Sequence, residues 1–426
     1  MRRCLAGIMA MAMLAASCSG SNEEESEARS VVRIFGPYRG LEADLFVAGL
    51  DDWADERAID IRYTGSSAFI DDLRYQVLEI AVPPDIALVP QPGVVRSMVR
   101  LDRAVPIPAE TEAAVAGNYE PSILDLGRID GELVGLPYRT SAKSLVWYRP
   151  GVFAANRLEI PDSLEGLERL VDEIADLGLT PWCIGIEAGG STGWVATDWV
   201  EDLILRQWGD AVYNEWIAGT VPFTDPRIAE SFATFRSLAL EPGRVAGGIA
   251  EVLSTSTQDA DDPLFTDPPG CVLYRQTSTA FGWMPPGTAL GSDVDFFAFP
   301  GEPETAGSMI AGLDLAVAFD DRPEVLAVLA RLATPAAVAR WAAEGSFVSP
   351  LRIDEPTTFY SPEDLRFAQE LVDAERVLPD GSDSMPGSIG TTLFWAEITQ
   401  WLSNAQSYDA MAATMDAAFE ALADQQ

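Results

Sequence analysis

The sequence predicts an α/β protein of two domains, which we call lobes. From residue 31 onward, three strand-then-helix units follow one another, which is the pattern of a parallel sheet covered by helices. A chain of 426 residues can form two cores of ordinary size, and a hydrophobic content of 48% excludes general disorder. Extended stretches at 139–144 and 345–350 are predicted to cross from one lobe to the other.

The three predicted strands of the first lobe each end in a loop rich in Gly, Ser or Pro. They cover residues 31–35, 58–63 and 85–89. Helical periodicity follows the first strand over 41–56 and the second strand from Phe69 to Val77. Because ligands of parallel α/β sheets bind at the carboxyl ends of the strands, the three loops are candidate binding segments.

The rest of the chain continues the alternation of strands and helices. The Asp130-Gly131 pair predicts a hairpin, and a helix capped by Ser163 should extend to Leu177. Further helices are predicted at 152–158, 226–239, 323–333, 335–344, 391–402 and 408–422. Further strands are predicted at 144–148, 271–274, 293–299 and 308–319. The last two strands should return the chain to the first lobe.

The stretch from Thr180 to Trp208 combines a short apolar run, a Gly-rich turn and a long helix. Residues 181–186 have the length and composition of a strand. Ser191 or Thr192 is predicted to cap the helix that follows the turn.

The helix of this stretch has two different faces. Trp194, Asp198 and Glu201 lie on one arc, at steps of three and four residues. An aromatic ring, a carboxylate and free amides at the helix start suit a neutral ligand rich in hydroxyl groups. The alternative is a core helix that begins with a tryptophan. The opposite arc is apolar and should be buried; it consists of Val195, Trp199, Val200, Leu203 and Ile204.

The charge balance and the lack of histidine exclude several classes of function. The chain has 66 Asp and Glu against 28 Lys and Arg, a net charge of -38, so its surface should repel nucleic acid. With no histidine, Ser-His-Asp and Cys-His catalysis and His-ligated zinc are excluded. Chemistry based on a pair of carboxylates remains open. We expect no metal and no cofactor.

The first residues have the features of an export signal. Arg2 and Arg3 precede an apolar segment that is too short to span a bilayer as a mature anchor. The following Leu-Ala-Ala-Ser-Cys resembles a bacterial lipobox, although alanine stands where leucine is usual. We therefore expect residues 1–17 to be removed, Cys18 to be lipidated and 18–30 to form a disordered tether. The alternative is a plain signal peptide, cleaved before a cysteine that stays unmodified.

Two cysteines remain after these modifications. Cys4 leaves with the signal and Cys18 takes the lipid. Cys183 and Cys271 are then the pair left in an oxidising compartment, which favours a disulfide.

Four segments give the chain a resemblance to the lipid-anchored extracellular solute-binding proteins of bacterial sugar ABC transporters. They are PWCIGIEAGGSTGWVATDWVEDLIL, GELVGLPY, GCVLYRQTS and AGLDLAVAF. The first is most similar to the alpha-glucoside-type subgroup, in which the positions of Cys183 and Cys271 would pair. The resemblance implies a type II periplasmic-binding-protein fold, whose two α/β lobes close on a sugar in the cleft.

The same resemblance implies partners and a location. The ligand would be a carbohydrate, a glucoside or a small oligosaccharide, and the partner would be the permease subunits of an ABC importer. The protein would be a monomer without enzymatic activity, held at the extracytoplasmic face of the cell membrane by its lipid alone.

The resemblance also implies a set of ligand-binding residues. Trp194 would be an aromatic anchor, and Tyr38 and Trp395 would stack on the ligand from other segments. Three residues of this set have an alternative, purely structural role. Ser66 and Ser67 would also serve as helix caps, and Arg275 would serve as one partner of an ion pair. The full set is Tyr38, Arg39, Ser66, Ser67, Gln91, Arg139, Ser141, Glu187, Gly190, Trp194, Arg275, Asp314 and Trp395.

The sequence also suggests where each lobe begins and ends, and it leaves two other functions open. The N-terminal lobe should comprise 31–140 and 291–345, and the C-terminal lobe 141–290 and 346–426. A lipid-anchored glycoside hydrolase would need two carboxylates at a fixed separation. A surface adhesion protein would lack a cleft.

Overall fold

The computed structural model describes residues 29–66, 68–79, 82–305, 307–387 and 389–423. In these residues the strands form a six-stranded sheet, a three-stranded sheet and a two-stranded hairpin. The strands are β1 (Ser30–Gly36), β2 (Ile59–Gly65), β3 (Ile86–Val89), β4 (Arg128–Ile129), β5 (Glu132–Leu133), β6 (Gly135–Ala142), β7 (Leu145–Tyr148), β8 (Leu273–Arg275), β9 (Asp295–Ala298), β10 (Ser308–Ala318) and β11 (Arg376–Pro379).

Helices cover the two larger sheets. They are α1 (Leu41–Ala48), α2 (Asp51–Asp55), α3 (Phe69–Arg74), α4 (Pro92–Arg100), α5 (Ala109–Val115), α6 (Pro121–Asp125), α7 (Pro150–Asn156), α8 (Leu164–Asp176), α9 (Trp194–Ile217), α10 (Pro226–Phe235), α11 (Gly248–Ser254), α12 (Pro323–Leu332), α13 (Pro335–Glu344), α14 (Pro356–Phe359), α15 (Pro362–Asp373), α16 (Gly381–Ser384), α17 (Trp395–Leu402) and α18 (Tyr408–Ala423). Among the described residues, no single helix has the length and apolar character needed to cross a membrane; the pair α12 and α13, bent by 47°, meets that test by length and composition only.

The six-stranded sheet begins with the three predicted strand-then-helix units. β1 pairs in parallel with β2 on one side and with β3 on the other, as the sequence predicts. The long strand β10 then runs antiparallel to both β3 and β6 and parallel to β11. The segment β6–β7 leads from this sheet into the three-stranded sheet, so the predicted crossing near 139–144 is confirmed.

The second sheet corrects one predicted strand assignment. The strand at 293–299 was expected to return the chain to the first lobe, but β9 pairs with β7 of the second sheet. Both edges of β7 are available for pairing, and β8 takes the other one. Phe296 of β9 packs against the buried Trp147 at 5.3 Å between ring centroids, which anchors β9 there. The return to the first sheet is made by β10 alone.

The predicted helix over 41–56 is interrupted. α1 and α2 are separated at Gly49 and Leu50. A Cβ atom at Gly49 would lie 2.0 Å from the carbonyl oxygen of Ala337 in α13, so the backbones approach too closely for any other residue. The helical periodicity of the sequence spans this break, and Leu45 and Phe46 before it and Ala54 after it are all buried.

The apolar run at 181–186 is buried but is not a regular strand. Its amides bond to different partners in turn: Trp182 to the carbonyl of Arg244, Cys183 to that of Leu273 and Ile186 to that of Val252. A strand needs one partner over several residues, and this segment threads between three. The strand prediction was therefore wrong, although the burial it implied is present.

The N-cap of helix α9 lies two residues after Ser191 and one residue after Thr192, so neither predicted cap is correct. Its N-cap is Gly193, at φ 111°, and no side chain caps the helix. Thr192 instead holds the turn before it, because its hydroxyl accepts from the amide of Ala188 and donates to the carbonyl of Gly189. A Cβ at Gly193 would lie 2.4 Å from the carbonyl oxygen of Trp395. Glycine thus lets the start of α9 pack directly on the start of α17.

The apolar face predicted for α9 forms the centre of the second core. Trp199 packs edge-on against Trp182 at 4.6 Å and stacks on Phe235 at 5.2 Å between ring centroids. Val195, Val200, Leu203 and Ile204 are also buried, as predicted.

The structure joins Cys183 and Cys271 in a disulfide, with Cα atoms 5.5 Å apart. Both residues are buried, and the bond links the irregular segment before α9 to the residues that enter β8.

We expect the thiol count of the mature chain to follow from this bond. A variant that starts at Ser19 and is exported to an oxidising compartment contains only these two cysteines. After denaturation without reductant, labelling with a thiol reagent should find no free thiol, and after reduction it should find two. The Cys271→Ser variant is the control and should show one free thiol in both states. Two reactive thiols in the unreduced parent chain would contradict the disulfide.

Candidate functional site

A cavity of about 260 Å³ lies between the two sheets, beside the crossing strands β6 and β10. One wall comes from the first lobe and the crossing strands, and the other comes from the second lobe. The residues that line it are Pro90, Gln91, Arg139, Thr140, Ser141, Lys143, Ser191, Trp194, Thr277, Thr279, Trp283, Gly312, Leu313, Asp314, Ser382, Asp383 and Trp395.

Six residues of the predicted binding set meet at this cavity. They come from separate elements of the chain, among them the loop after β3, both crossing strands and the starts of α9 and α17. The six are Gln91, Arg139, Ser141, Trp194, Asp314 and Trp395. Trp194 is partly exposed at the cavity, whereas Trp395 is 4% exposed and donates from Nε1 to the hydroxyl of Ser382 at 3.3 Å.

The cavity also holds buried polar atoms without a protein partner. Oε1 of Gln91 and Oγ1 of Thr277 make no hydrogen bond to any described residue, although both are buried. Such atoms cost free energy unless a ligand or water satisfies them. Both residues line the cavity, so it is suited to a polar occupant.

Tyr38 lies behind the cavity wall, which corrects its predicted stacking role. Its ring is 2% exposed and packs edge-on against Trp341 at 4.9 Å. Its hydroxyl donates to Oδ2 of Asp314 at 2.5 Å. The aromatic residue that follows β1 thus holds the cavity carboxylate in place, and its ring cannot stack on a ligand.

Asp314 and Arg139 face each other across the pairing of β10 with β6. Burial raises the pKa of Asp314, although Arg139 and the Tyr38 hydroxyl favour its ionised form. Arg139 donates to the carbonyl of Ser346 at 2.7 Å and lies 3.2 Å from Glu42. Its guanidinium also lies over the ring of Trp341 at 5.1 Å. This wall therefore offers charged groups whose positions are fixed by protein contacts.

Two predicted residues of the first lobe lie away from the cavity. Arg39 is exposed. Ser66 does not line the cavity, and its alternative role as a helix cap is wrong as well: its hydroxyl accepts from the amide of Ala68 at 3.0 Å and donates to Asp72, but the N-cap of α3 is Ala68 and no side chain caps that helix. Short hydroxyl side chains satisfy nearby backbone donors before they reach a ligand. Ser67 lies outside the described residues.

Glu187 and Gly190 are placed on the exposed turn before α9 and do not line the cavity. The carboxylate of Glu187 accepts from the amide of Gly189 at 2.9 Å. Gly190 faces the first lobe, because a Cβ built there would lie 3.2 Å from the carboxylate of Asp71. Nearby, Arg74 of α3 donates to the hydroxyl of Thr392 at 2.9 Å. The two lobes are thus in contact beside the cavity.

Arg275 is a structural residue, which corrects its predicted contact with the ligand. Its side chain is fully buried and donates to Asp202 through Nε and Nη2 and to Asp198 through Nη1, at 2.6 to 3.0 Å. Every described charge partner of Arg275 lies on α9. The position next to a strand end suggested a cleft residue, but the side chain points into the second lobe.

The polar arc of α9 is buried as well, so its carboxylates cannot bind a ligand as predicted. Asp198 is 1% exposed and pairs with Lys143 at 3.3 Å and with Arg275. Glu201 is fully buried and accepts from the amides of Gly381 and Ser382, at 2.7 and 2.9 Å. Burial raises the pKa of Asp198 to about 6, against the effect of Lys143, and burial also raises the pKa of Glu201 well above its ordinary value.

Lys143 is the main cavity residue that the sequence analysis missed. It is the only lysine of the chain, it lies between β6 and β7, and its ammonium is 5.1 Å from the ring centre of Trp194. It donates to Asp198 and Asp380. A single lysine at a predicted crossing was a usable signal. Four other cavity residues had no sequence feature that marked them, because only the fold brings them to the cavity: Trp283, Thr277, Thr279 and Asp383.

The carboxylates of Asp198, Glu201 and Asp380 lie close enough together to hold a metal ion. The ammonium of Lys143 already bonds to Asp198 and Asp380, and Glu201 is occupied by two backbone amides. These residues therefore fit a buried ion-pair network better than a metal site.

A cavity between two α/β lobes, lined by three tryptophans and fixed polar groups, defines a protein that binds a small polar solute. The chain belongs to the family of bacterial extracellular solute-binding proteins, whose family model matches residues 46–339. Members are the receptor subunits of ABC transporters and are not enzymes, which excludes the glycoside hydrolase considered from sequence.

Two relatives and one solved structure illustrate the match. The chain is 33% identical to the alpha-glucosides-binding periplasmic protein AglE of Rhizobium meliloti over 394 residues, which cover 90% of this chain and 86% of the relative. It is 34% identical to the osmoprotective compounds-binding protein GgtB of Synechocystis over 392 residues, which cover 91% of this chain and 92% of the relative. The solute receptor AcbH superposes with a TM-score of 0.76 at 19% identity, covering 93% of this chain and 99% of that one. The predicted type II periplasmic-binding-protein fold is confirmed.

Proposed function

We propose that the protein captures a small α-glucoside between its lobes and delivers it to the permease of an ABC importer. Two relatives that match nine-tenths of the chain support this, one named for alpha-glucosides and the other for osmoprotective compounds. The single observation that carries the proposal is the cavity, in which tryptophans for sugar C–H faces lie beside unpaired polar atoms for hydroxyls. Its volume of about 260 Å³ is near the lower end for small-molecule pockets, which favours one or two sugar rings.

Binding and closure test this function together. Purified protein would be titrated in a calorimeter with methyl α-D-glucopyranoside, trehalose, sucrose, maltose and, as a non-sugar control, glycine betaine. At least one glucoside should bind, and small-angle scattering should show a smaller radius of gyration with that ligand bound. Binding of glycine betaine alone would contradict the carbohydrate assignment.

The proposed binding set differs from the set predicted from sequence. Gln91, Arg139, Ser141, Asp314, Trp194 and Trp395 stay in it because they line the cavity. We propose adding Lys143, Thr277, Trp283 and Asp383 for the same reason. Tyr38 acts by supporting the cavity residue Asp314, and Arg275 acts by neutralising the buried Asp198 and Asp202.

We propose that the N-terminal lobe comprises 31–140 and 308–345 and that the remaining segments form the C-terminal lobe. The return is moved from 291 to 308 because β9 pairs with β7. Contacts such as Arg74 with Thr392 would then form and break as the lobes close and open. We further propose that the protein works as a monomer.

We propose that the protein is anchored by a lipid on Cys18, which lies outside the described residues. The small residues before Cys18 and the acidic stretch behind it support this. Cys18→Ala should prevent processing of the precursor or release the protein from the membrane, since two acyl chains suffice for stable anchoring and none remain. Fractionation and mass spectrometry of the N-terminus measure both effects, with Cys4→Ala as the control. Normal processing and full membrane retention of Cys18→Ala would exclude a lipid at this residue.

A further inference from the structure

We propose that Lys143 and Asp383 together bind two neighbouring hydroxyl groups of the ligand, one as donor and the other as acceptor. This inference rests on the proposed function and names the part of a sugar that the site selects. The pair lies on the second-lobe side of the cavity, next to Trp194. Neither residue belongs to the motifs that suggested the binding set from sequence.

Lys143 has a donor left for a ligand. An ammonium group carries three N–H donors. Two of them go to Oδ1 of Asp198 at 3.3 Å and to Oδ2 of Asp380. No further acceptor among the described residues takes the third, and the side chain, 11% exposed, lines the cavity.

Asp383 is the matching acceptor. Its carboxyl group makes no hydrogen bond to any described residue, and its nearest cation is Lys143, whose Nζ is 3.9 Å away and beyond hydrogen-bond distance. Its own amide donates to Asp380 at 2.8 Å, which fixes the first turn of α16 and with it the position of Asp383. The side chain is 11% exposed and lines the cavity.

The surrounding charges explain why Asp383 is left for the ligand. The buried network contains the carboxyl groups of Asp198, Glu201, Asp202, Asp380 and Asp383 and the cations Lys143, Arg206 and Arg275. The first four acids are each satisfied by a cation, an amide or a hydroxyl. Burial and the nearby Asp380 raise the pKa of Asp383, so donors from ligand hydroxyls would stabilise its ionised form.

A sugar meets both requirements at once. Adjacent hydroxyls on a pyranose ring can each accept one hydrogen bond and donate another. One hydroxyl would accept from Lys143 and its neighbour would donate to Asp383. The ammonium also lies over the ring of Trp194, so the polar clamp and the aromatic surface are held in one arrangement. The clamp would therefore select sugars by the orientation of two neighbouring hydroxyls.

The test uses methyl α-D-glucopyranoside and its 2-, 3-, 4- and 6-deoxy analogues, titrated by calorimetry. Wild-type protein should bind two analogues with neighbouring deoxy positions about 10- to 100-fold more weakly than the parent sugar, the loss expected for a hydrogen bond to a charged group. Asp383→Asn should bind the parent about 10-fold more weakly and should discriminate against one of those two analogues by less than about 3-fold. The control is Asp172→Asn, an exposed residue of α8 paired with Arg244, which should behave as wild type.

Lys143 is tested without a substitution that could unfold the chain. Because it is the only lysine, protein labelled with ¹³C-lysine gives one Cε signal in an NMR spectrum. That signal should shift on saturation with the parent sugar. It should shift less on saturation with the other weakly binding analogue, the one that Asp383→Asn still discriminates against. If the wild type binds the parent but Asp383→Asn keeps its full discrimination, or if the lysine signal stays still, the clamp is refuted and the proposed function stands. Binding of no glucoside at all would overturn both.

Discussion

Replacing Arg275 by alanine should lower the free energy of unfolding by about 3–5 kcal/mol. The substitution leaves Asp202 without the bidentate partner that now lies 2.6 to 2.9 Å away, and it removes the 3.0 Å contact to Asp198. All three side chains are at most 1% exposed, so water cannot replace the lost cation. Urea unfolding monitored by tryptophan fluorescence would measure the loss.

The matched control is Arg352→Ala. Arg352 also pairs with a carboxylate in two contacts, but both it and Glu120 are exposed, so its removal should change the free energy of unfolding far less than removal of Arg275. Any Arg275→Ala protein that remains folded should bind sugar almost normally, because Arg275 does not line the cavity. Unchanged stability together with a large loss of affinity would return Arg275 to the ligand-binding set.

Replacing Trp194 by alanine should weaken sugar binding by about 30- to 1,000-fold, or roughly 2–4 kcal/mol. Trp194 lines the cavity and is partly exposed there, so its ring can be covered by the C–H surface of a sugar. The melting temperature of the ligand-free protein should change little, because Trp194 is only partly buried against the second core, whose buried members on α9 are other residues such as Trp199. Calorimetry with the sugar that binds wild type, and thermal unfolding without it, measure the two quantities.

Trp53→Ala provides the control for loss of a partly exposed tryptophan. Trp53 lies in α2, where Arg57 covers its ring at 4.7 Å, and it does not line the cavity. Its removal should leave sugar affinity unchanged. A large drop in ligand-free stability for Trp194→Ala with unchanged affinity would show that Trp194 serves the core and does not bind the sugar.

Local sequence signals determined the architecture and part of the site. Strand and helix periodicity predicted β1, β2, β3 and the amphipathic helices. An element that buries one face has apolar residues at regular intervals, and this repeat is visible in the sequence even when the element it packs against is unknown. Family motifs pointed to Trp194, Asp314 and Trp395, which the fold brings to one cavity. Cys183 and Cys271 were predicted to pair, by elimination of the other cysteines and by the family resemblance, and the structure places their Cα atoms 5.5 Å apart.

The tertiary structure decided which charged residues face the ligand. A helical pattern identifies the polar arc of α9 but not what covers it, and Asp198 and Glu201 are buried because Lys143, Arg275 and α16 pack on that arc. Lys143 and Asp380 are 237 residues apart, so no local pattern could reveal their contact. The same holds for Tyr38, which supports Asp314 because β1 and β10 belong to one sheet. Contacts between distant segments depend on sheet order and close packing, and only the folded chain fixes those.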